Sequence, residues 1–268
     1  MFSSVSYASG PPVSEYTMGT FPFLPPANLE SIFAPISAEI SAAVGKPVRM
    51  RATTTFDGFT KAIVEKKYDI VQMQPFDYIR VGKAAGYIPL VTRTEPLYAY
   101  FSSKPDTKIR SLKDLKGALV GLPPETSAIS YLAKSALKAE GLTAPAHLRF
   151  RYFPNHLACL QQLLIGSVTA CATSAPAARL FEEQAGVTLS HIANSRFIPH
   201  TMFAVHSRVP AKDREVIKKT LVSTTLSGVD PKLRKLFIDV NPSDGIHYFV
   251  PVSDRDYDSA RRILKQVE

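Results

Sequence analysis

The chain has 268 residues, of which 45% are hydrophobic and 10% aromatic. This composition is typical of a folded globular protein and excludes a largely disordered one. The 32 Lys and Arg residues outnumber the 23 Asp and Glu residues, and the net charge of +9 favours anionic partners. The basic residues are scattered, without the clusters that indicate nucleic-acid binding, so we expect no nucleic-acid partner. No apolar stretch reaches the ~18 residues that a membrane span needs.

The N-terminal segment is small and polar and contains Gly10-Pro11-Pro12. It predicts a flexible lead-in over residues 1–13. The segment lacks the basic and apolar blocks of a secretory signal. A cytosolic protein would begin in this way, and so would an exported protein whose signal segment is absent from the chain. The segment therefore does not assign a compartment.

From residue 15 onward, strand and helix patterns alternate. In the first helical segment, Asn28 is a candidate N-cap, apolar residues from Leu29 to Val44 follow helical spacing, and Gly45 is a candidate stop. The predicted strands are 16–19, 48–52, 69–73, 98–102, 117–121, 148–153 and 168–173. The predicted helices are 28–44, 59–66, 75–85, a short one after the capping box at Ser111–Asp114, 126–140, 156–164, one that begins at Pro176, and 254–265. This alternation predicts an α/β protein with parallel sheets wrapped by helices.

Two short strand-like segments, near residues 98–103 and 198–204, are candidate crossings between two lobes. If both connect the same lobes, the first lobe comprises residues 14–99 plus 204–268, and the second comprises residues 100–203. One interrupted lobe and one continuous lobe, joined by two crossings, are typical of hinge-closing binding proteins.

Two further expectations concern the tail of the chain and the cysteines. We expect the C-terminal helix over residues 254–265 to pack on the first lobe. Cys159 and Cys171 are the only cysteines. They can form one disulfide, but no motif with metal or redox spacing includes them, so two buried free thiols are the favoured interpretation.

Four segments, in this order along the chain, resemble those of a known family. They are YDIVQMQPFDYIRV (68–81), IRSLKDLKGALVGLPPETSAISYLAKSALKAEGL (109–142), NHLACLQQLLIGSVTACA (155–172) and YFVPVSDRDYDSARRIL (248–264). Together they resemble the phosphate-, phosphite- and phosphonate-binding proteins of bacterial ABC transporters. The resemblance covers nearly the whole chain. It implies the two-lobed type II periplasmic-binding fold, with two interlobe crossings and a central ligand cleft.

The resemblance also implies a function. It implies an extracytoplasmic solute-binding protein that captures a small oxyanion, such as phosphate, phosphite or a phosphonate, for the membrane permease of an ABC transporter. Such a protein is periplasmic or lipid-anchored and has no catalytic residue, metal or cofactor, and we expect a monomer. Two alternatives stay open. One is a sensor of the same fold that signals to a membrane histidine kinase, and the other is a diverged member with a non-phosphorus ligand.

The segment Glu125-Thr126-Ser127-Ala128 lies between a predicted strand and a predicted helix. The first turn of a helix has unpaired N–H groups and a positive partial charge, and hydroxyls placed there can donate alongside those amides. An ordinary N-cap role for Thr126 or Ser127 is the alternative. The resemblance favours Thr126 and Ser127 as ligand-binding residues, and the two roles are compatible.

Four other residues are candidate ligand contacts. His156 begins a predicted helix, and the resemblance implies that it donates to a ligand oxygen; capping of its own helix at the surface is the alternative. Phe56 and Tyr98 lie near positions where the family places aromatic rings against the ligand, and core packing is the alternative for both. Phe56 can serve only as an apolar wall. Gln74 ends a predicted strand and can face the cleft.

Glu125 departs most clearly from the family's pattern, which has a serine there. A carboxylate that faces an anion is repelled by it. Glu125 therefore faces solvent, shares a proton with the ligand, or marks a site that has lost oxyanion binding, and we favour the solvent-facing side chain. Thr201 stands where some phosphonate binders have an acidic residue. Because an aminoalkyl phosphonate needs a carboxylate for its ammonium group, and Glu125 is the only good candidate, the sequence disfavours that ligand.

An enzyme is also disfavoured. His156 and Cys159 are three residues apart on a predicted helix, so they can share a face. A Cys–His nucleophile pair needs an orienting group and an oxyanion hole as well, and nothing nearby supplies both. The six histidines are dispersed, without the HxH or HxxxH spacing of metal ligands. We therefore expect neither catalysis nor a bound metal.

Overall fold

The structure is a computed structural model that describes residues 14–237 and 245–268. The predicted lead-in over residues 1–13 lies outside the described residues. The strands are β1 (Tyr16–Thr20), β2 (Val48–Ala52), β3 (Ile70–Met73), β4 (Tyr87–Arg93), β5 (Tyr100–Ser103), β6 (Leu119–Leu122), β7 (Arg149–Tyr152), β8 (Ala170–Thr173), β9 (Ser190–Asn194), β10 (Met202–His206) and β11 (Phe249–Pro251). The helices are α1 (Pro26–Val44), α2 (Phe56–Val64), α3 (Pro75–Asp77, followed by a π-helical turn at Tyr78–Gly82), α4 (Ala128–Ala139), α5 (His156–Leu164), α6 (Ala175–Ala185), α7 (Ala211–Ser223), α8 (Pro231–Arg234) and α9 (Asp258–Val267). Short 3-10 turns lie at Leu112–Leu115 and Asp254–Tyr257.

The strands form two sheets. The first sheet has the order β11-β4-β10-β3-β1-β2, and the second has the order β7-β6-β8-β5-β9. In each sheet three neighbouring strands are parallel, β2-β1-β3 in the first and β7-β6-β8 in the second. The next strand, β10 or β5, is antiparallel to them. The predicted α/β fold with two lobes is confirmed.

The chain crosses between the sheets in two segments. Residues 94–99 join β4 to β5, and residues 195–201 join β9 to β10. The crossings are hydrogen-bonded to each other, because Leu97 N donates to Ile198 O (2.8 Å) and Ile198 N donates to Leu97 O (3.0 Å). This pair forms an isolated antiparallel bridge between the lobes.

Both crossings lie a few residues before the predicted ones. The segment 98–103 contains all of β5, and the segment 198–204 contains the start of β10. The two short strand-like patterns therefore belong to β5 and β10, the strands that follow the crossings. The assignment of lobes at residues 99/100 and 203/204 stays a prediction, and its second boundary falls inside β10.

Each sheet has an apolar cluster on both faces. Ile70 and Val71 are neighbours in β3 but belong to different clusters, since successive strand side chains point to opposite faces. In the second sheet, Ala170 and Cys171 of β8 are divided between two clusters in the same way. Both sheets are therefore buried on two sides, which leaves the ends of the strands as the exposed edges where loops can form a site.

The C-terminal helix α9 packs mainly on α4 of the second lobe and also contacts α3 of the first lobe, so our prediction that it packs on the first lobe is only partly correct. After β11 in the first sheet, the chain reaches α4 and places Ala260, Ile263 and Leu264 in the apolar cluster of the second lobe. Lys138 Nζ of α4 donates to Gln266 O at 2.7 Å. The apolar spacing of α9 indicates a buried face, but it does not indicate which lobe covers that face.

Cys159 and Cys171 form a disulfide, so the predicted pair of free thiols is wrong. Cys159 lies on α5 and Cys171 on β8, and their Cα atoms are 6.2 Å apart, within the usual range for a disulfide. Helix α5 packs directly on β8, and this packing brings the two cysteines together. The distance between them cannot be derived from the sequence alone.

Among the described residues, no helix is both long and apolar enough to cross a membrane.

Candidate functional site

A cavity of ≈ 40 Å³ lies between the lobes, where the carboxyl ends of the parallel strands of both sheets meet. Ligands of α/β proteins usually bind outside this edge of the strands. Loops after β1 and β3 contribute from the first lobe, loops before α4, α5 and α6 from the second, and the two crossings close one side. The lining residues are Phe21, Phe23, Leu24, Gln72, Gln74, Arg93, Leu97, Ser127, Ala128, Ile129, His156, Ser174, Pro176, Ala177, His200, Thr201 and Leu236.

Helix α4 presents its N-terminus to this cavity. Its N-cap is Ser127, which is 1% exposed, and the Ser127 side chain makes no capping hydrogen bond to the helix. The hydroxyl is therefore not used as an ordinary cap. Thr126 is only partly buried and does not line the cavity. Of the two hydroxyl residues predicted here, the structure brings Ser127 to the cavity and leaves Thr126 beside it.

His156 is the first residue of α5 and is 4% exposed. The N-cap of α5 is Asn155, whose side chain accepts from Ala158 N at 2.9 Å, so His156 does not cap its own helix. Ser174 N donates to His156 Nδ1 at 3.1 Å. A ring nitrogen that accepts leaves the proton of a neutral imidazole on the other nitrogen, Nε2. Burial lowers the pKa of His156 from 6.5 to about 4, so the ring is a neutral Nε2–H donor at neutral pH.

A second histidine, His200, reaches the cavity from the crossing between β9 and β10. Thr201 N donates to His200 Nδ1 at 2.7 Å. Behind it, Thr20 Oγ1 donates to Gln72 Oε1, and Gln72 Nε2 donates to Thr201 Oγ1, both at 2.9 Å. The Thr201 hydroxyl then lies 2.9 Å from His200 Nδ1 and can donate to it.

This chain of hydrogen bonds determines the protonation of His200. Because Nδ1 accepts, the ring proton belongs on Nε2. Burial, together with the nearby Arg93, lowers the pKa of His200 well below its ordinary value. The cavity therefore has two neutral imidazole donors, one from the second lobe and one from a crossing.

Arg93 lies at the end of β4 and is 8% exposed. It pairs with Glu95, and its guanidinium lies 4.3 Å from the centre of the Phe237 ring. Its Nε has no hydrogen-bond partner among the described residues. Arg93 adds a permanent positive charge to the cavity, and Glu95 compensates part of it.

The first lobe contributes mainly apolar walls. Phe21, Phe23 and Leu24 follow β1 and line the cavity, and the rings of Phe21 and Phe23 are stacked with centroids 4.8 Å apart. Phe56 does not line the cavity and is packed behind Phe21, edge to face at 6.0 Å between centroids. The structure thus places Phe21 and Phe23 where we expected Phe56 as the wall.

Two more predicted residues lie outside the cavity. Tyr98 lines a separate pocket of ≈ 380 Å³ on the side of the crossings, where its ring packs edge to face on Phe197 at 4.8 Å between centroids. Glu125 is exposed, and its Oε1 accepts from Lys134 Nζ at 2.7 Å and from Tyr152 OH at 3.1 Å. The hydrogen bond from Lys134 lowers the pKa of Glu125. Glu125 is therefore an ionised surface residue, as we favoured from the sequence.

Gln74 lines the cavity from the first lobe and is 2% exposed. Its Oε1 accepts from Ala128 N, at the start of α4 in the second lobe, at 2.7 Å. Its Nε2 donates to Asp77 Oδ2 at 2.8 Å. Gln74 is thus the predicted site residue that touches both lobes.

Sequence reasoning missed several lining residues, of which Phe21 and Phe23 had a visible signal. The segment FPFLPP, which contains Phe21 and Phe23, lies between a predicted strand and a predicted helix, which is the same kind of position as Ser127. Arg93 and His200 have no such signal, because each lies beside a crossing whose position depends on how the strands pair within the two sheets. In the sequence, Thr201 stands out only as a departure from the family's pattern.

The lining is rich in donors, and none of the lining residues described is Asp or Glu. The positive N-terminal end of α4, the Ser127 hydroxyl, two imidazole Nε2–H groups and Arg93 all favour the oxygens of an anion. Within residues 14–237 and 245–268, no group of three or more His, Cys, Asp or Glu side chains could hold a metal ion. Cys159, which we considered as a nucleophile, is buried and disulfide-bonded.

Comparisons with known proteins identify a family and a fold. A family model described as the periplasmic substrate-binding protein of phosphonate ABC transporters matches residues 18–257. A binding-protein component of an ABC phosphonate transporter from Pseudomonas aeruginosa has a TM-score of 0.75 and is 16% identical, over 94% of this chain and 86% of that chain. PhnD1 from Prochlorococcus marinus, in complex with methylphosphonate, has a TM-score of 0.76 and is 13% identical, over 95% of this chain and 98% of that chain.

A third structure widens the range of ligands seen on this fold. A protein from Xanthomonas citri bound to ATP has a TM-score of 0.68 and is 13% identical, over 96% of this chain and 100% of that chain. At these identities the solved structures show the fold alone. No curated protein sequence matches the chain.

Proposed function

Because the chain belongs to the family of periplasmic substrate-binding proteins of phosphonate ABC transporters, we propose that its interlobe cleft captures a small phosphorus oxyanion: a phosphonate, phosphite or phosphate. The observation that supports this most directly is the convergence of the α4 N-terminus with two neutral imidazole donors and Arg93. Each of these groups donates hydrogen bonds, so together they suit a ligand that only accepts them. Ser127 and His156 are the residues we assign to the ligand oxygens from the second lobe.

We propose that the ligand has no ammonium group. An ammonium needs a carboxylate or several acceptors when it is buried. The described lining has no carboxylate, since Glu125 is paired with Lys134 at the surface and Glu95 is paired with Arg93. Phe21, Phe23 and Leu24 instead offer an apolar surface to a short alkyl substituent. These contacts favour an alkylphosphonate over an aminoalkyl phosphonate.

The family's partner is the membrane permease of an ABC transporter, and we propose the same partner for this chain, which would act as a monomer outside the cytoplasm. The disulfide between Cys159 and Cys171 supports a location in an oxidising compartment. A periplasmic or lipid-anchored protein meets this condition. The alternative role as a sensor for a histidine kinase gains no support from the comparisons.

A thermal-shift and calorimetric screen tests the ligand class. The panel contains methylphosphonate, phosphite, phosphate, 2-aminoethylphosphonate and sulfate. A ligand at one hundred times its Kd raises the free energy of unfolding by about 2.7 kcal/mol. We expect methylphosphonate and phosphite to raise the melting temperature and 2-aminoethylphosphonate to raise it less. Tighter binding of the amino compound would contradict the absence of an ammonium site, and binding of none would contradict the ligand class.

The pair Ser127 and Thr126 then tests the site. Loss of one hydrogen bond to a charged group costs about 1.5–3 kcal/mol, so Ser127→Ala should weaken methylphosphonate binding by roughly tenfold to hundredfold. Thr126→Ala is the matched control, because its hydroxyl lies beside the cavity and not in it. Isothermal titration calorimetry measures both. Equal effects of the two changes would mean that the hydroxyl of Ser127 does not face the ligand.

A further inference from the structure

A hydrogen bond joins the two lobes beside the contact between Phe76 of α3 and Tyr131 of α4, whose ring centroids are 4.8 Å apart. Gln74 follows β3 of the first lobe, and Ala128 begins α4 of the second. Gln74 Oε1 accepts from Ala128 N at 2.7 Å. The first N–H groups of a helix have no acceptor within the helix, so Gln74 supplies the acceptor that α4 lacks at this position.

The orientation of the Gln74 amide is fixed at both ends. Ala128 N can only donate, so the group that faces it must be the side-chain carbonyl of Gln74. Asp77 Oδ2 accepts from Gln74 Nε2 at 2.8 Å, so the NH₂ group faces Asp77. A flipped amide would place two donors against each other at Ala128. Asp77 therefore acts as a positioning residue that keeps the Gln74 carbonyl directed across the cleft.

All three residues are removed from solvent. Gln74, Asp77 and Ala128 are each 2% exposed. A hydrogen bond in such surroundings competes with water only after the lobes separate. When the cleft opens, Gln74 and Ala128 can each bond to water instead, so this bond contributes to the free energy of closure rather than to the stability of either lobe.

We propose that Gln74 is a closure residue: its bond to Ala128, held in place by Asp77, stabilises the closed form of the cleft before any ligand enters. This inference rests on the proposed function only in assuming a cleft that opens and closes. The closed form is the one that encloses the lining donors. A larger closed fraction in the unliganded protein therefore raises the apparent affinity for the ligand.

The test measures the ratio of closed to open molecules without ligand. Fluorescent labels at D57C and Q161C, on exposed positions of α2 and α5, report the interlobe distance by single-molecule energy transfer. Gln74→Met keeps the length of the side chain and removes both hydrogen bonds. We expect it to lower the ratio of closed to open molecules by about three- to tenfold, and to weaken methylphosphonate binding by a similar factor.

The matched control applies the same substitution to Gln266, a residue of α9 that contacts α4 away from its N-terminus. Gln266 Oε1 accepts from Ser135 Oγ at 3.2 Å, on the exposed side of the helix. Gln266→Met should leave the ratio of closed to open molecules unchanged. For Asp77, Asp77→Ala should reproduce the effect of Gln74→Met, and Asp77→Asn should restore most of the closed fraction, because its carbonyl can accept from Gln74 Nε2. Melting temperatures identify any variant that fails to fold.

Three results would overturn the proposal. The first is an equal closed fraction in Gln74→Met and Gln266→Met. The second is a closed fraction in Asp77→Ala that equals that of the unchanged protein. The third is tighter binding of methylphosphonate by Gln74→Met, which would mean that Gln74 competes with the ligand for the α4 amide. If the unchanged protein binds none of the oxyanions, the proposed function fails, while the ratio measured without ligand still decides the role of Gln74.

Discussion

The two lobes have the same arrangement of strands but different residues at equivalent loops. The order β2-β1-β3-β10-β4 of the first sheet corresponds to β7-β6-β8-β5-β9 of the second. In both lobes a helix follows each parallel strand at the same place. Phe56 and His156 are consequently equivalent, as the first residues of α2 and α5. Each also follows a residue whose side chain caps its helix.

The chemistry is opposite at two of the three equivalent helix starts; at the third, Gln74 of the first lobe and Ser174 of the second are both polar and both line the cavity. The second lobe places polar groups at its helix starts: Ser127, His156 and Ser174 all line the cavity. The first lobe places Phe21, Phe23 and Leu24 before its first helix and buries Phe56 behind them. In the function that we propose, one topology therefore serves two purposes: the second lobe binds the oxyanion and the first lobe covers the rest of the ligand. Fold alone would assign both lobes the same role.

The largest effect that we expect from this comparison is on stability. Phe56→Ala should lower the free energy of unfolding by about 3–5 kcal/mol, because it leaves a cavity among Phe21 and Phe59. It should change the Kd for methylphosphonate by less than about twofold at temperatures where the variant is folded, since Phe56 does not reach the ligand. Chemical denaturation and calorimetry measure the two quantities. A large loss of affinity would show that Phe56, the equivalent of His156 in the first lobe, takes part in binding.

Acid should destabilise the protein through His156. Its pKa is lowered from 6.5 to about 4 by burial, so between these values the unfolded chain binds a proton that the folded protein does not. The free energy of unfolding therefore falls as the pH is lowered from 6.5 towards 4. At 1.36 kcal/mol per pKa unit, His156 contributes about 3 kcal/mol to this loss. Denaturation at a series of pH values should show a shallower fall for His156→Phe, and an equally steep fall would exclude His156 as the cause.

His156→Phe also gives the second lobe the residue that the first lobe has. It removes the Nε2–H donor, so the affinity for methylphosphonate should fall by roughly tenfold to hundredfold, or about 1.5–3 kcal/mol. His156→Gln keeps an N–H donor and should recover part of the affinity. Calorimetry at neutral pH compares the three proteins. Equal affinities of His156→Phe and His156→Gln would mean that residue 156 contributes through its shape and not through a hydrogen bond to the ligand.

Glu125→Ser should have the smallest effect. Glu125 pairs with Lys134 at the surface, and exposed ion pairs contribute about 0–1 kcal/mol. The affinity for phosphate and phosphite should be the same in the wild type and the variant at pH 6, 7 and 8. A gain of affinity for the dianion at high pH in Glu125→Ser would instead indicate a proton shared with the ligand.

The sequence predicted the fold well, because alternation of strands and helices is a local pattern. The resemblance also indicated Ser127 and His156, and the structure places both in the lining of the cavity, while their contact with a ligand stays a prediction. Phe56 shows where this reasoning ends. An aromatic residue at a helix start suits the cavity wall and the core equally, and only the position of Phe21 decides between them.

The remaining errors all concern the packing of different helices and strands against each other. Helix α9 has an apolar face, but whether the first or second lobe covers it depends on where β11 ends in space. The disulfide depends on the packing of α5 against β8. The role of His200 depends on a chain of hydrogen bonds that starts at Thr20. These features follow from tertiary packing, and no local pattern contains them.

The position of α9 has a consequence for the order in which the protein can fold during synthesis. The apolar cluster of the second lobe contains Leu132 of α4 and Ile263 of α9, so it is incomplete until nearly the whole chain has been made. Domains usually fold as units when their last residues emerge. The second lobe, although its strands are continuous in sequence, should therefore reach its native packing only after β10 and β11 of the first lobe have been synthesised. A chain that stays unfolded until its synthesis is complete is little affected by this dependence.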